Sequence, residues 1–187
     1  MKAKSRIFAL MISLISLVLA YVQSGRTDSS SGFGISLPFG RNYDYSDILV
    51  KRVIDGDTIL LENQERVRLI GIDTPEMHES DKLYRDSQKT KQDVKTIKAL
   101  GRRAYEFTRQ LVEGKRVSLV FDVERKDKYG RLLAYVYLKD GTFVNAEIIK
   151  QGYASLLTIP PDVKFADLFL KLYHEARENK RGLWQDK

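Results

Sequence analysis

Five short β-rich runs, each closed by a turn signal and interrupted once by a long helical period, constrain this chain more than any other feature. The first run is Asp47 to Ile54, and Thr58 to Leu61 follows it across Asp55-Gly56-Asp57. Aspartate and glycine tolerate the backbone conformations of tight turns, so Asp-Gly between two such runs predicts a hairpin. Arg66 to Ile72 gives a third strand after the polar turn Glu62-Asn63-Gln64-Glu65. Val117, Leu119 and Phe121 alternate with Ser118 and Asp122, which places a fourth. Leu132 to Leu138 is the fifth and ends at Lys139-Asp140-Gly141.

Between the third and fourth strands, Ile97, Leu100, Ala104, Phe107 and Leu111 recur at the helical period and define one apolar face. Near the C-terminus Phe165, Leu168, Phe169, Leu172 and Ala176 define a second, with Asp162 as its expected N-cap. A short helix over 145–151, stopped by Gly152, is the third. The fold class is therefore α+β and mainly β: a five-stranded Greek-key barrel of the OB type with about three packed helices.

At 187 residues the chain holds one domain plus extensions. Residues Ile7 to Val22 form an apolar stretch behind Lys2, Lys4 and Arg6. As a helix it would span roughly 24 Å, short of the hydrocarbon thickness of roughly 30 Å. Residues 1–22 are expected to be a signal peptide cleaved after Ala20, or an uncleaved membrane anchor; either carries the remainder out of the cytoplasm. Residues 23–44, rich in Ser and Gly, read as a flexible linker, and 45–187 as the folded domain. Cysteine is absent, which excludes disulfides and thiolate metal sites, and there are only two histidines, His78 and His174. Any metal must be held mainly by oxygen. The net charge of +7 suits a polyanionic partner, although part of that excess precedes the apolar stretch.

The chemistry-bearing residues lie at strand ends. Asp57 follows the first turn, and Asp73-Thr74-Pro75-Glu76 follows the third strand, so Asp57 and Asp73 would converge if the first and third strands were neighbours. Pro75 holds Thr74 extended and makes its carbonyl a natural extra oxygen ligand for a hard cation. Arg68 stands inside a β-rich run, where a charge must face solvent or serve a site. Arg131 closes Asp127-Lys128-Tyr129-Gly130-Arg131. Guanidinium forks clamp phosphate, and carboxylates collect hard metals. Each block taken alone also reads as turn and cap residues bonding to local backbone.

Taken together, in this order and spacing, the blocks Val53-Ile54-Asp55-Gly56-Asp57-Thr58, Val67-Arg68-Leu69-Ile70-Gly71-Ile72-Asp73-Thr74-Pro75-Glu76 and Asp127-Lys128-Tyr129-Gly130-Arg131 resemble the staphylococcal (micrococcal) nuclease family, also called thermonuclease. Leu133-Ala134-Tyr135-Val136, Val144-Asn145 and Gln151-Gly152 extend the match. The resemblance implies one Ca2+ held by Asp57, Asp73 and the Thr74 carbonyl. It implies catalytic roles for Arg68 and Arg131 on the scissile phosphate, and for Glu76 as general base or as the group that orients the attacking water. Lys128 and Tyr129 would bind the nucleotide, and Asp55 would support the ligands.

The expected function is a calcium-dependent nuclease of DNA and RNA, acting as a monomer outside the cytoplasm and leaving 3′-phosphates. The alternative is a catalytically weak or inactive nucleic-acid-binding module on the same barrel. A third reading is a membrane-tethered protein whose basic helix meets lipid headgroups.

Two departures from the family pattern stand out. Thr158 occupies a position where the family places an aromatic, and 77–90 reads as a long polar loop. Lys91, Lys95, Lys98, Arg102 and Arg109 form a basic stripe opposite the predicted core face, and a solvated helix surface is expected there.

Overall fold

The five β-rich runs close on one another because each carries one apolar face and none is long enough to bury it alone. A computed structural model describes residues 44–185, and the expectations for residues 1–43 lie outside the described residues. Strands β1 (Ile48–Asp55), β2 (Thr58–Leu61) and β3 (Arg66–Leu69) form an antiparallel meander. After one further strand and two helices come β5 (Arg116–Val120) and β6 (Leu132–Leu138). The barrel order is β1-β2-β3-β6-β5, and β5 returns to pair with β1. Only the β3–β6 contact is parallel, so the barrel is mixed. Closure leaves no free barrel edge for another chain to pair with. Val50, Val53, Ile59, Leu61, Val67, Leu69, Val117 and Leu132 point into the core.

The third predicted strand does not run through to Ile72. It breaks at Ile70, and β4 (Gly71–Asp73) leaves the barrel to pair antiparallel with β7 (Ser155–Leu157). The break is held from a distance. The Ile70 N–H donates to the Ala134 carbonyl at 3.1 Å. The buried Asn145 side chain donates to the Ile70 carbonyl at 2.9 Å and accepts the Val136 N–H at 2.9 Å. Two backbone groups that the break would leave unpaired in the core are thereby satisfied. The break, rather than any β1–β3 neighbourhood, is what turns Asp73 toward the first hairpin.

Among the described residues there are four α-helices, where about three are expected: α1 (Asp81–Thr90), α2 (Val94–Val112), α3 (Val144–Lys150) and α4 (Ala166–Glu178). The added one, α1, lies in the stretch read from sequence as a polar loop. Its Ser80 N-cap accepts the Leu83 N–H at 3.1 Å, but Leu83 is its one buried residue, so no apolar period announces it. Helix α2 turns a slightly different face inward than its apolar period indicates. Ile97, Gly101, Ala104, Thr108 and Val112 are buried, while Leu100, Phe107 and Leu111 flank them. Asp162 is not the cap of α4, which begins after Phe165 without a side-chain cap. It is buried instead and accepts the Glu124 N–H at 2.9 Å. Lys91, Lys95, Arg102 and Arg109 are exposed as expected, and Lys98 sits 3.6 Å from Glu79. Among the described residues no helix is long and apolar enough to cross a membrane.

Asn145→Ala strands the Val136 amide and the Ile70 carbonyl in the core. With each buried unpaired group costing about 1–3 kcal/mol, the variant should lose about 2–6 kcal/mol of stability by denaturant unfolding. A change below 1 kcal/mol would show that the strand break holds without it.

Candidate active site

The turn between β1 and β2 is clamped from two sides. The Thr108 hydroxyl of α2 donates to the Gly56 carbonyl at 2.7 Å. A side chain at Gly56 would lie 2.8 Å from the Thr74 hydroxyl, so glycine is what lets the turn sit against Thr74. Asp57, buried beyond the turn, accepts the Thr74 N–H at 3.0 Å and its hydroxyl at 3.1 Å on Oδ2, and the Thr58 hydroxyl at 3.0 Å on Oδ1. Helix α2 also sets the position of Glu76. Gly101 faces the Pro75–Glu76 backbone so closely that a Cβ would come within 2.6 Å of the Glu76 carbonyl.

Arg68 joins the two aspartates. Its Nη2 lies 3.3 Å from Asp57 Oδ2 and 3.2 Å from Asp73 Oδ1, and Nη1 donates to the Leu69 carbonyl at 3.0 Å. A second cation joins the remaining acids. Lys82, in the first turn of α1, places its Nζ 2.9 Å from Asp73 Oδ1, 2.9 Å from Glu76 Oε1 and 3.1 Å from the Thr74 carbonyl. Sequence reasoning passed over Lys82 because it lies in a stretch with no apolar period and no motif.

The opposite contributions come from the loop before β6. Arg131 Nε donates to Asp127 Oδ2 at 2.7 Å, and the Asp127 carboxylate also accepts the Arg131 and Tyr129 amides. This fixes the guanidinium with its terminal N–H groups still to be used. Tyr129 is 64% exposed, with Lys128 Nζ 5.1 Å and Arg131 Cζ 5.5 Å from its ring centroid. Asp57, Arg68, Asp73, Glu76, Lys128, Tyr129 and Arg131 all line one cleft of about 1240 Å3. Thr74 does not line it and is buried against Asp57. Further cations not singled out from sequence line the same cleft: Arg66, Arg85, Arg125 and Lys126. Arg125 lies over the Phe121 ring, 4.2 Å from its centroid. Thr158 does not line the cleft, whereas its apolar neighbours Leu157 and Ile159 do.

Burial works against the charge of these acids, and each answers differently. Burial raises Asp57, but Arg68 and the Thr74 amide outweigh it and hold the carboxyl below its ordinary value. Asp73 is raised by burial despite Lys82 and Arg68. Asp55 is pushed up to about 7, first by burial and then by the neighbouring Asp57 charge. Burial alone would lower Lys82, yet Asp73 and Glu76 keep it firmly protonated.

A hard divalent ion takes six to eight oxygen ligands. Among the described residues no trio of His, Cys, Asp or Glu side chains forms a ready metal cage. The donor set here is of another kind, the Asp57 and Asp73 carboxylates and the Thr74 carbonyl, and two of its members, Asp73 and Thr74, already meet the Lys82 ammonium. An all-oxygen set of this kind fits a hard metal ion.

An acid with a raised folded pKa loses stability as pH climbs from its ordinary value to the raised one, because the unfolded chain gives up the proton first. For Asp55 that window runs from 3.8 to about 7. With chelator present, Asp55→Asn should be more stable than the parent at pH 8 and equal to it near pH 4, by denaturant unfolding. An equal difference at both values would remove the titration from the explanation.

The family model described as "Staphylococcal nuclease homologue" matches residues 66–186. The chain is 34% identical to a thermonuclease of Staphylococcus intermedius over 98% of both chains. It is 32% identical to a thermonuclease of Staphylococcus hyicus, covering 73% of this chain and 75% of that one. It is also 34% identical to the endonuclease YncB of Bacillus subtilis, covering 74% and 61%. On the match of the family model and the near full-length likeness, the chain belongs to the staphylococcal nuclease family.

Proposed function

We infer that this chain is a hydrolytic nuclease that cuts phosphodiester bonds of DNA and RNA with calcium, outside the cytoplasm, leaving 3′-phosphate products. Hydrolysis of nucleic acid follows from the family and from relatives named thermonuclease and endonuclease. The observation that carries the finer reading is that two aspartates, a glutamate and two arginines from four separate segments line one cleft. The basic start and apolar run of residues 1–22 support export or anchoring, with 23–44 as tether and 45–187 as the catalytic domain.

Asp57, Asp73 and the Thr74 carbonyl are the residues that would hold calcium. When bound, the ion supplies positive charge beside the phosphate oxygens. The protein's own groups do the rest. Glu76 accepts the proton of the attacking water, or aligns that water for in-line attack on phosphorus. Arg131, braced by Asp127, and Arg68 donate hydrogen bonds to the phosphoryl oxygens, whose charge grows as the new P–O bond forms. The 5′-oxygen departs as the leaving group. Lys128 pairs with a flanking phosphate, and the exposed Tyr129 ring offers a face to sugar or base. Leu157 and Ile159 supply apolar contact where the family's aromatic is missing at Thr158.

Release of acid-soluble nucleotide from DNA should require calcium and stop with chelator. Glu76→Gln and Arg131→Ala should each lower turnover by about 10²–10³-fold with circular dichroism unchanged. Full activity in both variants would remove the assigned roles.

A further inference from the structure

Lys82 belongs to no block that marks the family site, yet, like Arg68, it touches two of the expected calcium donors. Its ammonium meets Asp73, Glu76 and the Thr74 carbonyl, all within 3.1 Å. Two of these three groups are the assigned metal ligands, and the third is the assigned base. Calcium–oxygen distances are about 2.3–2.6 Å, so an ion on Asp73 Oδ1 and the Thr74 carbonyl would lie within about 5.5 Å of Nζ. Two positive charges that close in a half-buried site repel strongly. The ammonium and the ion exclude each other.

We propose that Lys82 is a resident cation that holds the ligand cluster together without metal and must be expelled when calcium binds. The inference rests on the calcium reading given above. Helix α1 is built for such an exchange. Leu83 is fully buried and anchors the helix, whereas the Lys82 side chain is 29% exposed and hangs on a flexible four-carbon stem. The stem swings while the helix stays docked. Once released, the ammonium is in the cleft, where substrate phosphate is the anion available to it. Competition by the lysine lowers calcium affinity. That shifts the response toward the roughly 10⁻⁴–10⁻³ M range of extracellular calcium sites. The same lysine keeps Asp73 and Glu76 from repelling each other in the metal-free protein.

The test is calorimetric titration of calcium chloride into the detergent-solubilised full chain, without nucleic acid, for the parent and for Lys82→Met and Lys82→Gln. Both variants should bind calcium at least tenfold more tightly, and their melting temperature in chelator should fall below that of the parent. Equal or weaker calcium binding in the variants overturns the proposal and leaves the calcium reading intact. Absence of binding in the parent and both variants overturns both. Should neither variant fold, acetylation of the Lys82 amine in the parent, read by peptide mass spectrometry, decides. Faster acetylation of Lys82 with calcium supports expulsion, and unchanged acetylation overturns it.

Discussion

Mutual repulsion among carboxylates is the constraint around which this molecule is organised. Asp55, Asp57, Asp73 and Glu76 come from two segments far from each other in local geometry, and all line one partly buried cleft. Such a cluster holds only if every charge is answered. Arg68 bridges Asp57 and Asp73, Lys82 bridges Asp73 and Glu76, and the Thr74 amide and hydroxyl saturate Asp57. Asp55 lacks a cation of its own and responds by favouring its proton. The unequal answers sort four similar side chains into different tasks.

The barrel serves this cluster through a few long-range contacts rather than through its own regularity. Asn145 holds open the break at Ile70, and the break sends Asp73 across to β7 and toward Asp57. Helix α2 grips the first hairpin through Thr108 and receives the Pro75–Glu76 backbone at Gly101. One helix therefore sets both the turn before Asp57 and the backbone of Glu76. Its buried stripe includes a glycine and a threonine because close backbone approach and a hydrogen bond matter more there than apolar volume.

Strand positions were legible because each run carries its own turn signal and side-chain alternation. β2 and β6 begin and end where their patterns indicate, β1 is displaced by a single residue, and β5 begins one residue early and ends at Val120, short of Phe121 and Asp122. The third strand was misread as continuous since Ile70 is as apolar as its neighbours. Its interruption depends on an asparagine far along the chain. Helix α1 was missed for the opposite reason: it buries only Leu83 and so shows no period. Asp162 has the character of a cap, but a tertiary hydrogen bond to the Glu124 amide claims it.

The sequence by itself determined the barrel, the family, and that Asp57, Arg68, Asp73, Glu76 and Arg131 belong together. These follow from short-range patterns and from the order and spacing of the motif blocks along the chain. Only the tertiary structure decided how the acids are compensated, which face of α2 turns inward, and that Lys82 stands on the expected calcium oxygens. Each of those depends on groups brought together across the fold. Electrostatic and hydrogen-bond partners are chosen by distance in space, to which the order of residues along the chain gives no direct access.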